Sequence, residues 1–163
     1  MPQAIISTPL GRIILRLKSG VAPKTVAHFI RLVESKALDG TSFYRSDFVI
    51  QFGLHGTGRT SSFAPLSVNE STAHGALSNV RGALAVAHWD VPDCGDSEFF
   101  ISLKANTHLD TAYGGYCVFA TIAQEDAASW SVVDQIEIAV ARKDYTRVDT
   151  VEIIRPNVSS SGS

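Results

Sequence analysis

The sequence predicts a mainly β domain, a closed antiparallel barrel with its ends capped by two α-helices. Three observations carry that prediction: many short β-rich runs punctuated by turn residues, two segments with helical apolar spacing, and no internal repeat or second domain in 163 residues. The same pattern also fits an α+β sandwich, so pattern by itself leaves both architectures open.

Residues 4–7 and 12–17 are β-rich runs separated by Thr8-Pro9-Leu10-Gly11, whose proline and glycine suit a tight turn, so the runs are expected to pair as a hairpin. Pro23 stands where a helix can begin. Val26, Phe29, Ile30 and Val33 then recur at the i, i+3, i+4, i+7 spacing of one helical face, and Gly40 is the expected stop. Residues 41–54 are expected to form two short strands bent at Ser46-Asp47. Residues 55–80 are rich in Gly, Ser, Thr and Asn without a sustained period, which predicts a long surface loop able to serve as a groove wall. Residues 83–87 and 98–103 return to strand character, and alternation sends Phe99 and Phe100 to opposite faces, one toward the core and one toward a site. Residues 116–122 give another strand, Val132, Val133, Ile136 and Val140 mark a second amphipathic helix, and residues 147–154 supply the last strand. The domain is expected to span 1–156, with 157–163 a disordered tail or expression scar outside the fold.

At this length one domain can bury a substantial core, and 45% hydrophobic residues suit a globular chain. A formal net charge of -2 supplies no overall attraction to nucleic acid or anionic membranes, so any partner is chosen by local chemistry. No apolar run approaches the length of a membrane span, and the amino terminus lacks the basic and apolar regions of a signal peptide. A soluble chain without membrane insertion is expected, cytoplasmic by default unless a targeting segment was removed. Cys94 and Cys117 do not define a disulfide framework, and a reduced pair is expected. His28 is expected at the helix surface, and His55 and His74 in solvent. Their spacing, and that of His88 with Asp90, does not match a zinc motif, so no metal or other cofactor is expected. Gly56-Thr57-Gly58 lacks the lysine and glycine spacing of a phosphate loop, and Ser97 beside Glu98 lacks the pattern of a nucleophile turn.

The stretch that points to chemistry is 42–53, where Arg45 stands among Phe43, Phe48, Val49 and Ile50. Burying a guanidinium in such company is costly unless it is hydrogen-bonded, so the arginine is either paired structurally or presented to a ligand. Strand alternation puts Val49 and Gln51 on one face, an apolar side chain and an amide side by side near the cation. Taken singly, Phe48 and Phe100 are more often core than pocket and Leu109 still more so, while Arg45 alone reads equally as a structural ion-pair partner.

Phe43-Tyr44-Arg45 followed by Phe48-Val49-Ile50-Gln51 resembles the arginine-bearing signature of the cyclophilin-type peptidyl-prolyl isomerases. Three further stretches follow in the family's order: 21–29 with its Ala22-Pro23-Lys24-Thr25 opening, 81–87 beginning Arg81-Gly82-Ala83-Leu84, and Ser97-Glu98-Phe99-Phe100-Ile101. The run 115–120 is similar to the bacterial-type members. The resemblance implies a closed eight-stranded antiparallel barrel capped by two α-helices. It implies isomerase activity on X-Pro bonds of peptides and folding proteins, with Arg45 as the donor to the rotating imide and Gln51 orienting it. Phe48, Val49, Phe100 and Leu109 would line a proline pocket, Ala87 and His88 would offer backbone to the peptide, and Tyr116 would close the rim.

The departures from the family pattern bear on rate. Two residues are missing between Arg45 and Phe48, Tyr44 replaces a histidine, and Phe52 replaces a glycine. Glu98 stands where glutamine is typical, and a carboxylate there is expected to pair with Arg45 and reduce turnover. His108 occupies the position of the aromatic associated with cyclosporin, which implies weak cyclosporin binding. The alternative function is a catalytically weak proline-peptide binding module or assembly subunit.

Overall fold

The structure, a computed structural model, describes residues 2–60, 66, 68–72, 75–88 and 96–155. Its elements are β1 (Gln3–Thr8), β2 (Gly11–Leu17), α1 (Pro23–Glu34), β3 (Ser42–Ser46), β4 (Val49–Gly53), β5 (Ala83–Val86), β6 (Glu98–Ser102), β7 (Val118–Thr121), α2 (Ala127–Ala141) and β8 (Thr150–Ile154). The eight strands form one antiparallel sheet in the order β3-β4-β6-β5-β7-β2-β1-β8. The predicted mainly β architecture with two helices is therefore what the chain adopts.

The strand ladder does not run full circle, which corrects the expectation of complete closure. The sheet ends at β3 and β8, and the gap is spanned by a single bridge between Ser42 and Arg147. Phe43 N–H donates to the Thr146 carbonyl at 2.8 Å and Val148 N–H to the Thr41 carbonyl at 2.7 Å. Residues 146–148 thus serve the β3 edge first, and the last strand pairs with β1 only from Thr150 onward. Their hydrogen bonds still cover the β3 edge, which would otherwise be an open template for another chain.

Two sequence stops were misplaced, each for a local reason. Helix α1 ends at Glu34 rather than running to Gly40, because Lys36 takes a left-handed conformation (φ 62°). Ala37 N–H then donates to the Leu32 carbonyl at 3.0 Å and Lys36 N–H to the Val33 carbonyl at 2.9 Å, the paired bonds of a Schellman ending. Glycine usually fills that position, so a lysine there hides the stop. The link between β3 and β4 is Asp47-Phe48, one residue later than the predicted bend. Helix α2 starts where Asp126 accepts from Ser129 N–H at 3.2 Å, and it buries Val132, Val133, Ile136 and Val140 as predicted.

The core lies inside the curled sheet. Phe29 of α1 packs edge-on against Phe99 at 5.1 Å and against Phe119 at 5.1 Å, while Phe52 lies 5.9 Å from Phe99 and 4.9 Å from Phe43. His28 belongs to this buried side of α1, against the expectation of a surface position. It is 1% exposed, with Nε2 2.7 Å from the Asp96 carbonyl. That carbonyl satisfies one ring nitrogen, while Nδ1 is buried without a hydrogen-bond partner among the described residues. Cys117 is a free thiol whose pKa burial pushes up to about 11, so it is chemically quiet. Cys94, His74, Asp90 and the boundary between 156 and 157 lie outside the described residues.

Candidate active site

Strands β4, β6, β5 and β7 are buried on both faces. Their inward residues feed the core, while Val49, Ala83, Ala85, Phe100 and Val118 form a second apolar cluster on the outer face with Leu109. Residues 107–114, two short 3₁₀ turns, lie over part of this cluster. Next to them a cavity of about 450 Å³ remains open. Phe99 and Phe100 divide between the two faces as alternation predicts.

Alternation alone would send Arg45 inward, on the same side as Phe43. A bulge prevents this: Phe43 pairs with Phe52 and Arg45 with Gln51, so Tyr44 is an extra residue on β3. The shift turns both Tyr44 and Arg45 toward the outer face, a known use of bulges beside functional sites. The two-residue link then holds the arginine. Asp47 Oδ1 accepts from Val49 N–H at 3.1 Å and Oδ2 from Arg45 Nε at 2.9 Å, while Asn106 Nδ2 donates to the Phe48 carbonyl at 2.9 Å.

Arg45 also donates from Nη1 to Gln51 Oε1 at 3.0 Å and lies over the Phe48 ring, 5.3 Å from its centroid. A guanidinium carries five N–H donors. Nη2 has no hydrogen-bond partner among the described residues, and it belongs to a group that lines the cavity. Gln51 Nε2 in turn donates to the Tyr44 hydroxyl at 2.9 Å and to Glu98 Oε1 at 3.3 Å. The Tyr44 hydroxyl donates to the same Glu98 oxygen, and His55 N–H donates to the other at 2.7 Å. Burial, with the Glu98 bond and charge, pushes the Tyr44 phenol well above its ordinary pKa, so it stays a neutral donor.

The expected pairing of Glu98 with Arg45 is therefore corrected. The carboxylate is occupied by Tyr44, Gln51 and His55, and the arginine's ionic partner is Asp47 instead. The bend in the shortened link brings Asp47 to the cation first. Gly53 makes room for Glu98: at φ +153° it has no Cβ, and one added there would collide with the Glu98 carboxylate and the Ser97 carbonyl.

The predicted site residues are brought together around the cavity. Arg45, Phe48, Val49 and Gln51 come from the β3–β4 hairpin, Ala87, His88, Glu98 and Phe100 from β5, β6 and their ends, and His108, Leu109 and Tyr116 from the segment before β7. Ala87 N–H already donates to the Glu98 carbonyl at 2.8 Å, so a peptide would meet the Ala87 carbonyl rather than its N–H. The Phe48 and His108 rings meet at 5.4 Å, and His88 stacks on Tyr116 at 4.2 Å. The His88 Nε2 lies 2.7 Å from the Gly115 carbonyl, which calls for the proton on that nitrogen.

Sequence reasoning missed Ala112 and Tyr113, which also line the cavity. Tyr113 is 64% exposed with φ 51°. Its turn is held from behind, since Asn69 Nδ2 donates to the Gly115 carbonyl at 2.8 Å and Ser71 Oγ to the Gly114 carbonyl at 3.2 Å. The signal available was an aromatic directly before Gly114-Gly115. Among the described residues none of 55–80 lines the cavity, and Asn69 and Ser71 contribute to it through this support. Asp110 anchors the same segment. Burial alone would raise its pKa, but hydrogen bonds from Ser78 and Asn79 outweigh that and hold it below the ordinary value. Among the described residues no group of three His, Cys, Asp or Glu is placed to hold a metal ion, and no helix is long and apolar enough to cross a membrane.

An apolar hollow on the outside of an antiparallel barrel, with one guanidinium aimed along its edge, defines a site that can hold a small ring and donate a hydrogen bond beside it. Comparison with known proteins gives the class. The family described as cyclophilin type peptidyl-prolyl cis-trans isomerase/CLD matches residues 4–158. The peptidyl-prolyl cis-trans isomerase cyp18 of Streptomyces antibioticus is 36% identical over 141 residues, 81% of each chain. The human peptidyl-prolyl cis-trans isomerase-like 1 is 31% identical over 158 residues, 94% of this chain and 90% of that one. A solved cyclophilin type peptidyl-prolyl cis-trans isomerase from Cryptosporidium parvum, crystallised in the presence of the dipeptide Ala-Pro, superposes with a TM-score of 0.77. It is 22% identical and covers 94% of this chain and 99% of that one, a likeness of fold. The chain belongs to the cyclophilin type peptidyl-prolyl cis-trans isomerase family, and its function is that of a peptidyl-prolyl isomerase.

Proposed function

We propose that this chain accelerates rotation about X-Pro bonds in extended or unfolded clients, with Arg45 as the catalytic donor and Gln51 as the group that orients it. Amide resonance sets a barrier of about 18 to 20 kcal/mol, while the cis and trans X-Pro forms differ by only about 0.5 to 1 kcal/mol. No covalent bond has to be made or broken. At the top of the barrier the nitrogen regains its lone pair, and a donor aimed at that lone pair stabilises the twisted state more than either planar one.

Phe48, Val49, Phe100 and Leu109 would hold the proline ring, with the Ala87 carbonyl and the His88 backbone along the peptide, His108 beside Phe48, and Tyr116 at the rim. The observation that carries the reading is the Nη2 of Arg45, which has no hydrogen-bond partner among the described residues and is held at the cavity by Asp47 and Gln51. A net charge of -2 supports clients chosen by this local chemistry rather than by general attraction to nucleic acid or membranes.

The test is an isomerisation assay on a short proline peptide comparing the native chain with Arg45→Ala. Loss of one oriented donor should cost roughly 10² to 10³ in kcat. Equal and negligible rates in both would leave the second reading, a proline-peptide binding module. The Arg45–Asp47 ion pair at 2.9 Å favours that module, because it offsets part of the charge offered to substrate. The reading also places His108 where cyclosporin would need a larger aromatic, so a direct titration should give weak binding, and tight binding would refute that part.

A further inference from the structure

The polar network beside Arg45 has a direction fixed by which atoms can donate. An ionised carboxylate accepts only. Glu98 Oε1 takes the Tyr44 hydroxyl hydrogen and, at 3.3 Å, a hydrogen from Gln51 Nε2. With its own hydrogen directed at Glu98, Tyr44 offers Gln51 only a lone pair, and Gln51 Nε2 donates to it at 2.9 Å. Both neighbours therefore require the nitrogen side of the Gln51 amide. Its Oε1 is left facing Arg45, where it accepts from Nη1 at 3.0 Å. A flipped amide would set donor against donor at the guanidinium.

We propose that Glu98 and Tyr44 are positioning residues for isomerisation: together they fix the polarity of the Gln51 amide and, through it, the aim of Arg45. This rests on the reading of Arg45 as the donor. The fold makes specific room for the arrangement. The bulge on β3 turns Tyr44 to the pocket side, and Gly53 leaves the space that the Glu98 carboxylate occupies. His55 N–H, at 2.7 Å, holds the second carboxylate oxygen, so the first is not free to swing away. The carboxylate that replaces a typical glutamine thus assists the arginine at one remove rather than sequestering it.

The experiment measures kcat and KM separately on a proline peptide for the native chain, Arg45→Ala, Glu98→Gln, Tyr44→Phe and the Glu98→Gln/Tyr44→Phe double variant. It also records the side-chain amide resonances of Gln51 and the Nε–H resonance of Arg45. Glu98→Gln should lower kcat about fivefold, the kinetic equivalent of one net hydrogen bond, with KM within about twofold. Tyr44→Phe should lower kcat about two- to threefold. The double variant should lose no more than Glu98→Gln alone, because both act through one amide. Both sets of resonances should shift in Glu98→Gln. Should that variant fail to fold, Tyr44→Phe decides, since it removes a single oxygen. Native kcat in Tyr44→Phe and native or higher kcat in Glu98→Gln, while Arg45→Ala is slow, overturn the positioning role alone. Additive losses in the double variant overturn the shared amide. A native chain as inactive as Arg45→Ala overturns the catalytic reading and the positioning role together.

Discussion

The inner and outer faces of β4, β6, β5 and β7 are built from alternate residues of the same strands, yet they do opposite work. Inward, Ile50, Phe52, Leu84, Val86, Phe99 and Ile101 meet Phe29 and Phe119 with almost nothing exposed. Outward, β5 presents only Ala83 and Ala85, and the cover over them is a pair of short turns held by Asp110 and Asn79. Ala83 and Ala85 are fully buried beneath it, and the cavity lies beside this cover, where Val49 and Phe100 line it. Polar side chains follow the same division. Gln51, Glu98 and Tyr44 sit on the outer side, where a hydrogen-bonded network can border solvent, while the inner cluster is apolar.

Truncating the two neighbouring phenylalanines should expose this division most strongly. Phe99→Ala removes a fully buried ring touching three other phenylalanines and should cost about 3 to 5 kcal/mol of stability in a denaturant titration. Phe100→Ala opens onto a cavity that water already reaches, so its stability loss should be smaller. Its main effect should be a rise in KM of about tenfold or more for a proline peptide, from the lost apolar contact. Equal stability losses with unchanged KM would mean that the outer cluster is simply more core.

Much of this division was legible in the sequence. The period-2 pattern put Phe99 and Phe100 on opposite faces, and Val49 with Gln51 on one, because side-chain alternation is a property of the extended backbone itself. What escaped were places where the backbone departs from its period. The extra residue at Tyr44 leaves no compositional mark, yet it decides where Arg45 points. Lys36 ends a helix in a conformation usually marked by glycine. His28 looked like a surface residue because its partner, the Asp96 carbonyl, is 68 positions away. The pairing of Arg45 with Asp47 escaped as well, because it depends on the bend of the two-residue link, while the carboxylate at 98 is engaged by Tyr44, Gln51 and His55.

That ion pair supplies the smallest and sharpest test of the outer face. The Arg45 and Asp47 side chains are 43% and 44% exposed, so as an element of stability the pair should be worth under about 1 kcal/mol. Its role in aiming the guanidinium is separable from its role in the link, because Asp47 Oδ2 takes Arg45 while Oδ1 takes Val49 N–H. Asp47→Asn keeps an acceptor for Val49 and removes the charge. If the carboxylate steadies the arginine against the cavity, kcat should fall about two- to fivefold at low ionic strength while the melting temperature barely moves. The gap between variant and native chain should narrow as salt screens the native pair. A rise in kcat instead would show that Asp47 draws charge away from the rotating imide, and slow turnover would then be set by the shortened β3–β4 link.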